Sequence, residues 1–111
     1  METKTALSQL SALAQENRLA LFRLLVRAGP DGMAAGDIAA DLSVPPNTLS
    51  AQLNILSAAG LIEGTRQGRS IIYSASYDMI SQLIVFLIED CCQGRDEVCM
   101  PVLEAAQSRC C

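Results

Sequence analysis

The sequence predicts a mainly α-helical fold with a β-hairpin wing, a winged helix-turn-helix, assembled as a dimer. Three observations carry that reading. Two short helical patterns, Ala35 to Leu42 and Pro46 to Ala59, are joined by the three-residue turn Ser43-Val44-Pro45. Two β-prone runs follow, Leu61 to Thr65 and Ser70 to Ser74, flanking the charged tip Arg66-Gln67-Gly68-Arg69. The last long helical pattern is apolar nearly all round, so one small domain cannot cover it.

Taken in order, Thr5 caps a first helix that aligns Leu7, Leu10, Leu13 and Ala14 on one stripe. A second helix runs from Asn17 to Arg27, where Leu19, Phe22 and Val26 form an apolar line widened by Leu21, Leu24 and Leu25. Gly29-Pro30-Asp31-Gly32 breaks it. Pro46 suits a first helical position, because its missing N–H would be unpaired there anyway. From it Leu49, Leu53, Leu56 and Ala59 repeat at helical spacing until Gly60 ends the helix. Ser76 caps the last long helix, with Ile80, Leu83, Ile84, Leu87 and Ile88 on one face and Val85 and Phe86 on another. Gly94 is expected to end that helix and Pro101 to start a short terminal one.

A length of 111 residues fits one domain. Half the residues are apolar but only 4% are aromatic, so the core must be aliphatic, as suits packed helices. The longest apolar run, Leu83 to Ile88, falls far short of the roughly 20 residues of a membrane span. The first residues lack the basic-then-apolar order of a signal peptide. We therefore expect a cytoplasmic protein with no membrane partner. The net charge of −4 is an awkward sign for a nucleic-acid binder, but its distribution is uneven. Residues 89–111 hold two Arg against Glu89, Asp90, Asp96, Glu97 and Glu104, and residues 1–88 are close to neutral. Contact with DNA would then rely on a dimer and groove fit, not on a bulk positive field. The division expected is 1–90 for DNA binding and dimerisation and 91–111 for a cysteine-rich, inducer-binding tail.

In a helix-turn-helix the second helix enters the major groove, and a wing touches the flanking backbone. The outward face of that helix is expected to present Asn47, Thr48, Ser50, Ala51, Gln52 and Asn54. Gln and Asn can pair with adenine N6 and N7, and Ser or Thr can reach phosphates. Arg66 and Arg69 at the wing tip suit phosphate or minor-groove contact. The plain alternative for each of these side chains is a solvated surface; their order along the chain favours double-stranded operator DNA.

This ordered set resembles the ArsR family of metalloregulatory repressors. The resemblance runs from about Leu13 to Ile88. It is most specific in Asn17-Arg18-Leu19-Ala20-Leu21-Phe22-Arg23-Leu24-Leu25, in Thr48-Leu49-Ser50-Ala51-Gln52-Leu53 followed by Leu56-Ser57-Ala58-Ala59-Gly60-Leu61-Ile62, and in Arg66-Gln67-Gly68-Arg69 running into Tyr73. Gln52 stands where the family frequently has histidine. The resemblance implies a homodimer joined through the first and last helices, which puts Leu10, Ile84, Leu87 and Ile88 at the interface. It also implies repression without ligand, with no cofactor needed for DNA binding, and release when a metal or metalloid binds.

Two sites common in the family cannot be built here. The stretch Met33 to Ala39 has no cysteine, and Asp78 on the last helix lacks partner histidines, since the chain has no histidine at all. The cluster Cys91-Cys92-x6-Cys99 instead resembles a C-terminal arsenite site of some members. Its chemistry points the same way. Trivalent arsenic and antimony are soft, and their lone pair leaves room for three thiolates in a pyramid, whereas zinc prefers a tetrahedron of four. Adjacent helical side chains point about 100° apart. Cys91 and Cys92 can therefore grip one atom only where the helix ends, and the loop Gln93 to Val98 would let Cys99 fold back. Incidental thiols, a redox switch, and cadmium or lead sensing remain the alternatives; the flanking Glu89, Asp90, Asp96 and Glu97 disfavour a reactive thiolate. Cys110 and Cys111 read as a frayed or auxiliary pair. An enzyme is not expected, because no cysteine has Arg six positions later, as a phosphatase-like loop needs, and general-base histidine is missing. A metal carrier would need neither the helix-turn-helix nor the wing.

Overall fold

The computed structural model describes residues 1–89 and 96–110, with the side chains of 96–99 and 110 left aside. Helix α1 spans Thr3–Leu13 and α2 spans Glu16–Ala28. A two-residue strand β1 (Met33–Ala34) leads into α3 (Ala35–Leu42) and α4 (Pro46–Ala58). The wing is β2 (Ile62–Gln67) and β3 (Ser70–Ala75), followed by α5 (Tyr77–Ile88) and α6 (Asp96–Cys110). The three strands form an antiparallel sheet in the order β1-β3-β2. No described helix is long and apolar enough to cross a membrane.

Local chemistry explains most boundaries. Gln15 caps α2 by accepting from the Arg18 amide at 2.9 Å, and Ser76 caps α5 by accepting from the Met79 amide at 3.4 Å. Helices α3 and α4 end alike. The Val44 amide bonds the Ala39 carbonyl and the Ser43 amide bonds that of Ala40; Leu61 and Gly60 repeat the pattern on Leu56 and Ser57. Both ends are Schellman motifs, whose pivot residue must be left-handed. Gly60 meets that demand with φ 80°, and Ser43 meets it with φ 54° against its own Cβ. The core is aliphatic, as expected: Leu21, Leu25, Ile38, Leu49, Leu53, Leu56, Leu61 and Ile62 are buried together with Phe22.

Several expectations are corrected. Helix α1 begins before Thr5, with Glu2 at its cap position, and it buries Ala6, Gln9 and Ala12. Of the stripe through Leu7 and Leu10, both residues point outward, as the expected interface place of Leu10 requires. On α2, Leu19 and Val26 are likewise exposed while Leu21, Leu24 and Leu25 are buried. The hairpin tip is shorter than expected. Arg66 and Gln67 are paired in β2 opposite Ile71 and Ser70, leaving Gly68-Arg69 as a two-residue turn. Gly68 alone takes a positive φ, 63°, which a II′ hairpin requires of its first central residue. Strand β1 had no local signal. Helix α5 ends at Ile88, earlier than Gly94, and α6 begins at Asp96, so Pro101 lies inside that helix and does not open it.

Candidate nucleic-acid interface

Helix α4 starts on Pro46 and packs its Leu49, Leu53 and Leu56 edge inward, leaving Asn47, Thr48, Ser50, Ala51 and Asn54 exposed. Gln52 does not join them. It is only 8% exposed, and its Oε1 has no hydrogen-bond partner. The expected outward placement fails because Gln52 lies about 60° from Leu49 and about 40° from Leu56 around the helix, inside the apolar arc. Asn47 Oδ1 accepts from the Thr48 amide at 3.0 Å, and Ser50 Oγ donates to the Pro46 carbonyl at 3.0 Å. The Ser50 hydroxyl is thus turned onto its own helix and must leave that carbonyl before donating to a phosphate.

Between α4 and the wing runs a groove of about 310 Å³, lined by Ser50 and Leu53 on one side and by Arg69, Ser70, Ile71 and Tyr73 on the other. The hairpin register carries Arg69 to the mouth of this groove. Arg66 pairs with Ile71 and therefore shares the sheet face of Ile71 and Tyr73. No carboxylate is among the described residues lining the groove, so the Arg69 guanidinium and the hydroxyls of Ser50 and Ser70 face one concavity without an acidic neighbour. Ser70 was missed from the sequence because its strand position pointed to pairing alone.

Two further residues tie helices together around this site. Buried Gln9 of α1 donates from Nε2 to the Ala59 carbonyl at 3.3 Å, tying α1 to the end of α4. Arg18 donates from Nε to the Ala12 carbonyl at 2.6 Å and from Nη2 to that of Ser11 at 3.4 Å, closing the end of α1 against α2. Neither role had a local pattern in the sequence, since each joins groups on different helices.

Residues 13–65, from the end of α1 into β2, match the family described as "Helix-turn-helix domain". The chain is 38% identical over 77 residues to the HTH-type transcriptional regulator NmtR of Mycobacterium tuberculosis, an alignment covering 69% of this chain and 62% of that protein. The chain thus spans less than two thirds of that relative's length. It is 31% identical to NolR from Sinorhizobium fredii, whose crystal structure aligns over 78% of this chain and 83% of that one with a TM-score of 0.62. It is 25% identical to an ArsR-like transcriptional regulator from Rhodococcus sp. RHA1, with 93% of each chain covered and a TM-score of 0.69. The chain has the helix-turn-helix of these regulators and is similar to the ArsR-like one over most of its length. Two of these relatives bear the name of transcriptional regulators, in line with the expectation that this chain is not an enzyme.

The outward apolar faces stand out. Leu7 and Leu10 on α1 are 61% and 38% exposed, and Ile84, Val85 and Leu87 on α5 are 49–56% exposed. Leu83 is the α5 residue that reaches the inside, and Ile88 is half-buried. The cysteine cluster is described only in part. Cys91 and Cys92 lie outside the described residues, as does Cys111. Cys99 and Cys110 fall within α6, and the expected loop through Val98 is already helical from Asp96. Among the described residues no group of three His, Cys, Asp or Glu side chains is arranged to hold a metal ion.

Proposed function

We propose that this chain is a DNA-binding transcriptional repressor that acts as a homodimer and leaves its operator when arsenite or antimonite binds Cys91, Cys92 and Cys99. The observation that carries the DNA-binding part is the groove between α4 and the wing, lined by Ser50, Arg69 and Ser70, with Thr48 and Asn54 exposed on the same helix and Arg66 exposed on the wing. Helix α4 would lie in the major groove with Asn54 and Asn47 toward base edges, and Arg69 and Arg66 on phosphates. Exposed Leu10, Ile84 and Leu87, with Ile88 beside them, support a dimer through α1 and α5, since a second copy would cover them.

The inducer part rests on the donor set. Three soft thiolates with no histidine in the chain suit a pyramidal trivalent metalloid better than a tetrahedral or hard ion. Cys91 follows the last residue of α5 by three positions, so a ligand gathered there pulls on the helix proposed for the dimer interface. Moving a repressor from almost fully competent to almost fully released takes about 5.5 kcal/mol of differential affinity. Three sulfur bonds can supply that, and loss of one thiol removes most of it. Single Ser substitutions at Cys91, Cys92 or Cys99 are expected to keep operator binding and abolish the arsenite response, while a Cys110→Ser/Cys111→Ser double variant still responds. X-ray absorption of the arsenite complex should show three sulfur neighbours. Induction that survives Cys99→Ser and disappears in the double tail variant would move the third ligand into the tail.

A further inference from the structure

We infer that a second binding site, independent of the cysteines, lies between α2, α5 and α6 and takes a small amphipathic carboxylate. A groove of about 500 Å³ opens there, within the roughly 300–1,000 Å³ typical of small-molecule sites. Its floor is Phe22 and Val26 of α2 with Ile80 and Ile84 of α5, and its rim is Arg23, Arg27 and Arg109. It shares no lining residue with the groove between α4 and the wing.

The rim calls for an anion. Three of the eight basic residues of an acidic chain line this one groove, and no carboxylate is among the described residues that line it. Arg23 and Arg27 are four positions apart on α2, a spacing at which like charges repel, and Arg109 adds a third positive charge from another helix. A bound carboxylate offsets that repulsion, and the planar guanidinium fork matches its two oxygens. The floor calls for an apolar body. Val26 is 39% exposed beside Phe22 and Ile80, so a purely hydrophilic anion leaves that surface wet, whereas an acyl chain or ring system covers it. Ile84 also belongs to the α5 face proposed for the dimer, so the site and that face share a residue.

The test is a calorimetric titration of the full reduced protein with decanoate, with decanol and acetate as parallel probes. Saturable binding of one decanoate per chain is expected, with decanol and acetate weaker by about tenfold or more, since each lacks one half of the recognised chemistry. An Arg23→Gln/Arg27→Gln variant, altered only at exposed positions, should keep its circular dichroism and lose about tenfold or more in decanoate affinity. Arg69→Gln, outside the groove, should bind as the wild type does. Absence of saturable decanoate binding, equal affinity for decanol, or unchanged affinity in the double arginine variant would each overturn the assignment.

Discussion

Gln52 carries an amide among leucines, and one of its polar atoms has no partner. A buried acceptor left unpaired costs about 1–3 kcal/mol, so Gln52→Leu is expected to keep or raise stability. If reading is done by the exposed face, this variant retains operator preference while Asn54→Ala relaxes it; competition between operator and random duplexes distinguishes the two. Gly32 shows the opposite constraint. Its φ is 73°, and a Cβ there would meet the Tyr73 carbonyl oxygen at 2.3 Å. Gly32→Ala should therefore cost about 2 kcal/mol or more in a urea melt, because strain and clash act together where β1 meets β3. Ser43→Gly should stabilise by about 1 kcal/mol, since glycine has no Cβ to oppose the left-handed turn between α3 and α4. The inward place of Gln52 was available from helical angles alone. The burial of Gln9 was not, because its partner is fifty positions away.

At the level of elements, α3 and the start of α4 were legible because their signals are local: a proline at the first helical position and a tight turn. The hairpin was legible as a hairpin, but its tip was drawn two residues too wide. Charged Arg66 and polar Gln67 look like turn residues, and strand pairing overrides that preference. Strand β1 is held only by the edge of β3, a long-range contact with no periodicity of its own. The apolar excess of α5 was legible, and its outward share is what the dimer proposal uses. Ile84→Glu/Leu87→Glu should sediment as a monomer and bind operator far more weakly, with helical content unchanged because both positions face outward. A wild-type chain that sediments as a monomer at micromolar concentration contradicts the dimer.

For the whole molecule, two copies of one reading helix impose symmetry on the DNA. The operator should be an imperfect inverted repeat with half-sites about 34 Å apart, or a multiple of it. Arg69→Ala should weaken binding to every sequence and flatten the salt dependence by about one unit of slope, whereas Asn54→Ala acts on sequence preference. The fold could be anticipated because helix and turn signals lie close together along the chain. The thiol site is a proposal read from the ligand set alone, since Cys91 and Cys92 lie outside the described residues. The central claim is that arsenite at Cys91, Cys92 and Cys99 lowers operator affinity. Its most direct test is fluorescence anisotropy of labelled operator bound to the reduced protein, titrated with arsenite. Release of the duplex is expected to be complete near one arsenite per protomer. Anisotropy that stays at its bound value under excess arsenite would contradict the account.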